Sequence, residues 1–290
     1  MADLLARDEA PLTSEEWEAI DKVVVEAARR QLVARRFIEV YGPLGAGIQD
    51  LDYHTFGGAD GAVVDVAGQA PGEPVQAVER LHKTVPLIYK DFVLYWRDIE
   101  TRRRVGLPLD VGAAAAASAF VAQAEDDLIF NGRPGLGLDG LLTVGGRTTL
   151  HVRDWDEAGA AFEDVVAVTQ RLIEAGFYGP YAVALSPRSY AQIHRVYDNT
   201  GVLEVEQIRR LATSGVFQST AITDYGLVLS TGVENVDIAV AQDFVTAYLG
   251  PANLNHPFRV LESILLRIRR PGAICTFEVA GGRARRRRRK

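Results

Sequence analysis

An alanine-rich stretch at residues 107–131 constrains the fold of this chain more than any other feature. It carries five consecutive alanines at 113–117 and is followed by Gly132. Asp110 can cap the start of a helix, and Gly132 supplies a left-handed end. About twenty helical residues would span roughly 30 Å. The stretch therefore predicts a long spine helix that other elements cross, with an apolar stripe formed by Phe120, Val121, Ala124 and Leu128.

Composition favours a soluble protein with a substantial core. The chain has 290 residues, of which 48% are hydrophobic and 24% are charged, enough for one or two domains. The sequence shows neither an apolar run of about 18 residues nor a signal peptide, so we expect a cytoplasmic protein without a membrane segment. Cys275 is the only cysteine, which excludes an internal disulfide and any multi-cysteine metal site.

Charge is distributed unevenly along the chain. Residues 283–290 carry seven basic residues, whereas residues 1–280 carry 25 basic and 38 acidic residues, a net charge of −13. Like charges in a block repel one another, so we expect residues 281–290 to form a disordered arginine-rich tail. Such a tail can bind nucleic acid or anionic surfaces non-specifically, but a solvated tail with only incidental attraction to polyanions is favoured over a dedicated nucleic-acid site. The acidic body argues against a fold built to bind nucleic acid.

Helices and strands alternate without regular strand–helix–strand spacing, which indicates an α+β protein. Thr13 and Glu16 fit a capping box, and a helix follows to about residue 34. Residues 54–83 lack a steady period and are rich in glycine, which predicts a long hairpin with a strand at 63–66. An excursion of this length is uncommon in a compact monomer and needs contacts from a neighbouring subunit.

Motifs that could carry chemistry have simpler structural interpretations. Residues 135–140 match G-x-G-x-x-G, but a helix precedes them and a predicted strand at 141–144 follows, so a turn is favoured over a nucleotide site. The acidic run at 125–127 is interpreted as the solvated end of the spine helix. The five histidines show no metal-ligand spacing. Ser189 and His194 lack an orienting acid. We therefore expect neither a metal site nor enzymatic activity.

Several ordered motifs resemble those of one known family, the encapsulins. They cover about residues 4–279, and the chain is similar to the encapsulins that house ferritin-like iron-oxidising cargo. The matching segments are Ala10-Pro11-Leu12-Thr13, the run at 35–45, Glu125-Asp126 with 129–132, Gly140-Leu141-Leu142, Gly179-Pro180-Tyr181-Ala182, and Gln242-Asp243 followed by Tyr248.

The resemblance implies a phage-major-capsid-like fold of the Hong Kong 97 type, with a peripheral domain, an axial domain and an extended loop. By this resemblance the chain divides into an N-terminal arm, inner-face helix and start of the peripheral domain (1–53), the extended loop (54–83), the peripheral domain with the spine helix (84–134), the axial domain (135–225), a return to the peripheral domain (226–280) and the tail (281–290).

The resemblance also implies two functional sites. A targeting peptide on cargo proteins would bind Val24, Ala28, Leu32, Arg35, Glu39, Phe244, Val245 and Tyr248. A pore would be lined by Asp198, Asn199, Thr200, Gly201 and Val202, with Glu204 as a further candidate. Some relatives hold flavin near a tryptophan that matches Trp96, so a flavin there is a further hypothesis; otherwise no cofactor is expected.

The function implied is a self-assembling icosahedral shell that encloses cargo enzymes and has no chemistry of its own. Its partners would be copies of itself and cargo proteins of the ferritin-like or peroxidase kind, with pores for small solutes and ions. Two alternatives remain open at this point. One is a viral major capsid protein that packages nucleic acid, and the other is a soluble enzyme of unknown type.

Overall fold

A computed structural model describes residues 4–57, 61–197 and 201–279 and confirms the α+β class. The helices are α1 (Ser14–Gln31), α2 (Trp96–Val105), α3 (Gly112–Asn131), α4 (Ala160–Glu174), α5 (Pro187–Gln192) and α6 (Glu204–Leu211). The strands are β1 (Glu39–Tyr41), β2 (Asp50–Gly57), β3 (Gln76–Thr84), β4 (Leu87–Leu94), β5 (Thr148–Val152), β6 (Tyr181–Leu185), β7 (Gly215–Gln218), β8 (Gly226–Ser230), β9 (Val236–Tyr248), β10 (His256–Ile268) and β11 (Ile274–Val279).

The first sheet is built on two long antiparallel strands and has the order β1-β9-β10-β4. β9 and β10 are 13 residues each and carry an irregularity in register near Ser263. The buried Arg267 guanidinium donates to both oxygens of Asp237 at 2.7 and 2.6 Å. Because this pair joins directly opposed positions, it helps to fix the register of the two strands.

The spine helix α3 packs against β4, β10 and α1. Small residues on its buried face allow α1 to approach closely: Ala122 and Ala28 of α1 belong to one packed cluster, and both are nearly inaccessible. The predicted stripe was wrong at Phe120, which is 57% exposed, and at Ala124, which is also exposed. Small side chains face α1 because the neighbouring helix needs the space, whereas the larger Ile129 and Phe130 fill the core near the end of α3.

The N-terminal helix has the predicted cap. Thr13 Oγ1 accepts from the Glu16 N–H at 3.2 Å, and the Glu16 carboxylate accepts from the Thr13 N–H at 2.8 Å. Trp17, Ile20 and Val24 follow on the buried face and join a core with β4 and β10. Sequence periodicity predicted this helix well because its buried face is a regular apolar stripe.

The second sheet has the order β5-β11-β8-β6-β7, and α4 packs against it. Trp155 is fully buried beside this sheet, and its indole N–H donates to Asp164 at 2.8 Å. The sheet combines strands from residues 148–218 with β8 and β11 from the segment after 225. The second sheet is therefore formed by strands from two of the segments predicted above, 135–225 and 226–280.

The hairpin arm, defined as β2, β3 and the chain between them, is antiparallel from Asp50 opposite Thr84 to Gly57 opposite Gln76. This confirms an extended hairpin. The prediction of a strand at residues 63–66 was wrong, because these residues are irregular. Val64 is 99% exposed, so none of the described strands of the same subunit covers it. Large apolar side chains remain exposed along the arm: Phe56, Val63, Val64, Val66, Val75 and Val78.

The glycine-rich motif after the spine helix is a turn, as predicted. Arg133 pairs with Leu138 across it, and Gly137 has a φ of 66°. The strand expected at 141–144 is wrong, because these residues form a turn. The N–H groups of Leu141 and Leu142 donate to the carbonyls of Ile129 and Phe130 at the end of α3. These residues therefore complete the helix terminus and do not join a sheet.

Candidate functional site

A groove of about 510 Å³ opens between the C-terminal half of α1, the chain that follows it and β9. We call it the α1 groove. Both apolar and charged groups reach it, and they come from segments about 200 residues apart in the sequence, which only the tertiary structure brings together. Its lining residues are Val25, Ala28, Arg29, Leu32, Arg35, Arg36, Val40, Asp243 and Phe244.

The floor of the α1 groove is apolar. Leu32 is 6% exposed and Ala28 is 2% exposed, and Phe244 packs against the cluster that they form with Ala122. Val25 and Val40 extend this surface and are 36% and 46% exposed. An apolar strip of this kind, open to solvent in one subunit, is suited to an apolar side chain of a partner.

Asp126 of the spine helix fixes the chain where α1 ends. Its carboxylate accepts hydrogen bonds from the N–H groups of Val33 and Ala34. The shortest distance from a carboxylate oxygen to each of these nitrogens is 3.0 Å. These N–H groups open the short 3-10 turn Ala34–Arg36. Burial raises the pKa of Asp126 to about 7, and the neighbouring charge of Glu125 also raises it. The hydrogen bonds from the backbone act in the opposite direction.

Arg35 lies at the centre of an ion cluster behind the groove. Its Nε and Nη2 donate to the two oxygens of Glu125 at 2.7 and 2.8 Å. Nη2 also donates to Glu262 at 2.7 Å, and Nη1 donates to Asp243 at 2.8 Å. The guanidinium carbon lies 5.6 Å from the centroid of the Phe244 ring. We call Arg35, Glu125, Asp243 and Glu262 the Arg35 cluster.

The acidic run at 125–127 was interpreted wrongly as the solvated end of a helix. Glu125 is fully buried and Asp126 is 4% exposed, and only Asp127 is exposed to solvent. Glu125 and its partner Arg35 are 90 residues apart in the sequence. No local pattern reports a pair at such a separation, so sequence reasoning had no direct signal for it.

The predicted docking residues fall into separate environments. Ala28, Leu32, Arg35 and Phe244 meet in the α1 groove. Val24 and Tyr248 are buried in the neighbouring core instead, where the Tyr248 hydroxyl is 2.9 Å from His256 Nδ1.

The two remaining predicted docking residues lie outside the groove lining. Val245 is opposite Leu261 and is not among the residues that line the groove. Glu39 is exposed on β1 beside the groove.

Of the predicted pore residues, Asp198, Asn199 and Thr200 lie outside the described residues. Gly201 is exposed with a φ of 72°, and the carbonyl of Val202 accepts from the Tyr197 N–H at 2.8 Å. The further candidate Glu204 does not fit a pore lining. It is fully buried, accepts from the Phe162 N–H at 2.8 Å and pairs with Arg195.

The other candidate residues lie in different environments. Trp96 is 42% exposed and is not among the residues that line the nearby recess bordered by Tyr95 and Arg102. Cys275 is buried, and burial raises the pKa of its thiol to about 11. Among residues 4–57, 61–197 and 201–279 there is no group of three or more side chains suited to a metal ion.

Within the part of the chain that the structure describes, every helix is too short or too polar to cross a bilayer.

Solved structures of similar fold come from a virus-like particle and from a phage capsid. A virus-like particle from Pyrococcus furiosus aligns with a TM-score of 0.75 and 21% identity over 91% of this chain and all of that chain. The capsid of the myovirus XM1 aligns with a TM-score of 0.61 and 10% identity over 84% of this chain and 90% of that chain. The fold is therefore that of Hong Kong 97-like capsid proteins.

Sequence comparison refines this class. The chain belongs to the encapsulin family: the sequence model described as "Encapsulating protein for peroxidase" matches residues 2–265. The type 1 encapsulin shell protein EncA of Myxococcus xanthus is 52% identical over 99% of this chain and 100% of its own length. A diheme-cytochrome-encapsulin shell fusion protein of Kuenenia stuttgartiensis is 41% identical over 93% of this chain and 74% of its own length.

Membership in this family decides between the alternatives that the sequence left open. The protein is a structural subunit that associates with copies of itself into a capsid-like shell, and it is not an enzyme. The exposed apolar side chains of the hairpin arm agree with this assignment, because an extended arm of this kind needs contacts from neighbouring subunits.

Proposed function

We propose that this protein forms an icosahedral cytoplasmic compartment that encloses ferritin-like iron-storage proteins, held by a targeting segment of the cargo in the α1 groove. The observation that carries the proposal is the groove itself. Ala28, Leu32 and Phe244 form an apolar floor, and a volume of about 510 Å³ above it is unfilled by the subunit.

The groove favours an extended segment with one or two apolar anchors. An apolar side chain of the cargo that covers the floor gains about 25 cal/mol for each square ångström removed from water. The rim offers Arg29, Arg36 and Asp243, which are exposed and can bind polar groups along the segment. Arg35 is already saturated by three carboxylates and supports the groove wall from behind.

The cargo class is supported by relatives. A ferritin-like-encapsulin shell fusion protein of Pyrococcus furiosus is 25% identical over 70% of this chain and 55% of its own length. The Kuenenia stuttgartiensis relative is instead a fusion with a diheme cytochrome. Ferritin-like cargo follows the resemblance noted in the sequence, and peroxidase and cytochrome cargo are outcomes that the experiment below can distinguish.

The test is cargo loading by shells with an altered groove. Val25→Asp with Phe244→Ala places a charge on the open floor and removes its aromatic wall. We expect intact shells that retain much less of a co-expressed fluorescent protein fused to the terminal segment of a ferritin-like protein. Val166→Asp is the matched control, because Val166 on α4 is 39% exposed and Val25 is 36% exposed.

Electron microscopy and the ratio of fluorescence to shell protein give the two readouts. Full loading of intact groove-variant shells would overturn the docking site. Loading by a cytochrome or peroxidase segment, but not by the ferritin-like segment, would keep the site and change the cargo.

Small ions would reach the cargo through pores around residues 198–202. Asp198 is acidic and would favour cations there. Replacement of Asp198 by Lys is expected to slow the entry of Fe²⁺, measured as iron oxidation by loaded shells. Unchanged oxidation rates in shells loaded to the same extent would exclude this pore assignment.

A further inference from the structure

The Arg35 cluster contains more acidic groups than basic ones. One guanidinium donates four hydrogen bonds to three carboxylates, and two of these carboxylates bind the same nitrogen, Nη2. Glu125 and Glu262 are fully buried, whereas Asp243 is largely exposed. Two buried negative charges this close repel each other strongly, and one cation shared among three acids does not neutralise both.

One atom of the cluster lacks a partner when both glutamates are ionised. Glu262 Oε1 is buried and has no hydrogen-bond partner, although Glu262 Oε2 accepts from Arg35. A buried oxygen without a partner is costly. A proton on the Glu125–Glu262 pair would turn a carboxylate oxygen into a donor and remove one of the two charges. Burial, together with the charge of Glu125, raises the pKa of Glu262 well above its usual range.

We propose that Glu125 and Glu262 share one proton, and that loss of this proton at alkaline pH displaces Arg35 and loosens the wall of the α1 groove. Hydroxide would take the proton as water and leave two adjacent carboxylates. Their repulsion would separate α3 from β10. Only the consequence for cargo rests on the proposed docking function; the shared proton does not.

The surroundings of the pair define which other groups can titrate. Arg35 faces it from the chain after α1, Asp243 from β9 and Asp126 from α3, and Arg36 acts on Asp126. Asp126 has its own hydrogen bonds, to the backbone of Val33 and Ala34, so its titration can be removed separately. The contact of Arg35 with the Phe244 ring connects the cluster to the groove floor.

The first experiment detects the proton directly. Infrared difference spectra of assembled shells are recorded between neutral and alkaline pH for Asp126→Asn, which removes the titration of Asp126, and for the double variant Asp126→Asn with Glu262→Gln. Glutamine keeps a donor to Glu125 but cannot lose a proton. We expect a protonated-carboxyl C=O band that disappears at alkaline pH in Asp126→Asn and that is absent in the double variant. A band that is missing in Asp126→Asn, or unchanged in the double variant, would overturn the shared proton.

The second experiment measures the effect on the groove. Binding of the fluorescent fusion with the ferritin-like segment is followed against pH. We expect a loss of affinity on the order of tenfold in the wild type at alkaline pH and a flat profile for Glu262→Gln. Equal profiles would overturn the link between proton and groove.

If the fusion binds neither protein at any pH, the docking assignment fails. Hydrogen exchange of residues 28–37 then decides the link. Faster exchange at alkaline pH than at neutral pH, beyond the intrinsic base-catalysed increase and only in the wild type, supports it, and equal protection in both proteins overturns it.

Discussion

Ser118 Oγ, in the middle of the spine helix, donates a hydrogen bond of 2.6 Å to the backbone carbonyl of Val24 in α1. Both residues are buried. The carbonyl of Val24 lies inside α1, so this bond is an additional contact between two packed helices. It sets the axial position of α1 and, with it, the position of the groove floor four and eight residues further on.

Replacement of Ser118 by Ala should destabilise the subunit by about 1 kcal/mol, the usual contribution of one buried hydrogen bond. Alanine keeps the close approach of the helices, so shells should still form. Thermal unfolding of the shells is the measurement, with Gln123→Ala on the exposed face of α3 as the control. Equal unfolding temperatures for the two variants would contradict the assigned role.

Arg35→Met should be far more damaging than Ser118→Ala. It leaves Glu125 and Glu262 buried without a cation, and loss of one member of a buried ion pair costs roughly 3–5 kcal/mol. We expect insoluble or unassembled protein. Adding Glu125→Gln and Glu262→Gln removes the uncompensated charges and should restore soluble shells. If the triple variant does not form soluble shells while Arg35→Met alone folds, Arg35 does not act by charge compensation.

Asp126 should make stability depend on pH. Its pKa in the folded protein is about 7, against an ordinary value of 3.8. Between these values the folded state binds more protons than the unfolded state. The contribution of Asp126 to the free energy of unfolding therefore falls as the pH rises towards 7 and stays constant above it. Asp126→Asn keeps the acceptor for Val33 and Ala34 but does not titrate.

Unfolding temperatures of wild-type and Asp126→Asn shells, compared across this range, should diverge as the pH increases, with the variant becoming the more stable. Parallel curves would contradict the assignment. Asp127→Asn is the matched control, because Asp127 is the exposed neighbour on the same helix.

The hairpin arm should be needed for assembly but not for folding of the subunit. Replacement of residues 58–75 by a short glycine-serine turn removes exposed side chains such as Val64 and Val75 and leaves the buried residues of both sheets intact. We expect a folded protein by circular dichroism that forms no closed shells in negative-stain electron microscopy. Shells of normal size and stability would show that this part of the arm makes no essential intersubunit contact.

The basic tail should account for any nucleic acid that copurifies with the shells. Deletion of residues 283–290 removes seven positive charges, and the remaining body is acidic. The ratio of absorbance at 260 nm to that at 280 nm, measured after nuclease treatment, should fall on deletion and also with rising salt. A high ratio in the truncated protein would place nucleic acid binding elsewhere.

The sequence alone determined the elements whose signals are local. The capping box of Thr13 and Glu16, the length of the spine helix up to Gly132 and the glycine-rich turn at 135–140 all depend on neighbouring residues. The ordered motifs also predicted the encapsulin family and its fold. Each of these signals lies within one segment or in the order of segments, which a sequence records directly.

The tertiary structure decided which residues meet. It placed Phe244 against Leu32, paired Arg35 with Glu125 across 90 positions, and buried an acidic run that looks solvated in the sequence. It also buried the face of the spine helix that carries small residues such as Ala114 and Ala122, and left Phe120 exposed. The physical reason is that charge compensation and close helix packing depend on distances in space, which residue spacing along the chain does not encode.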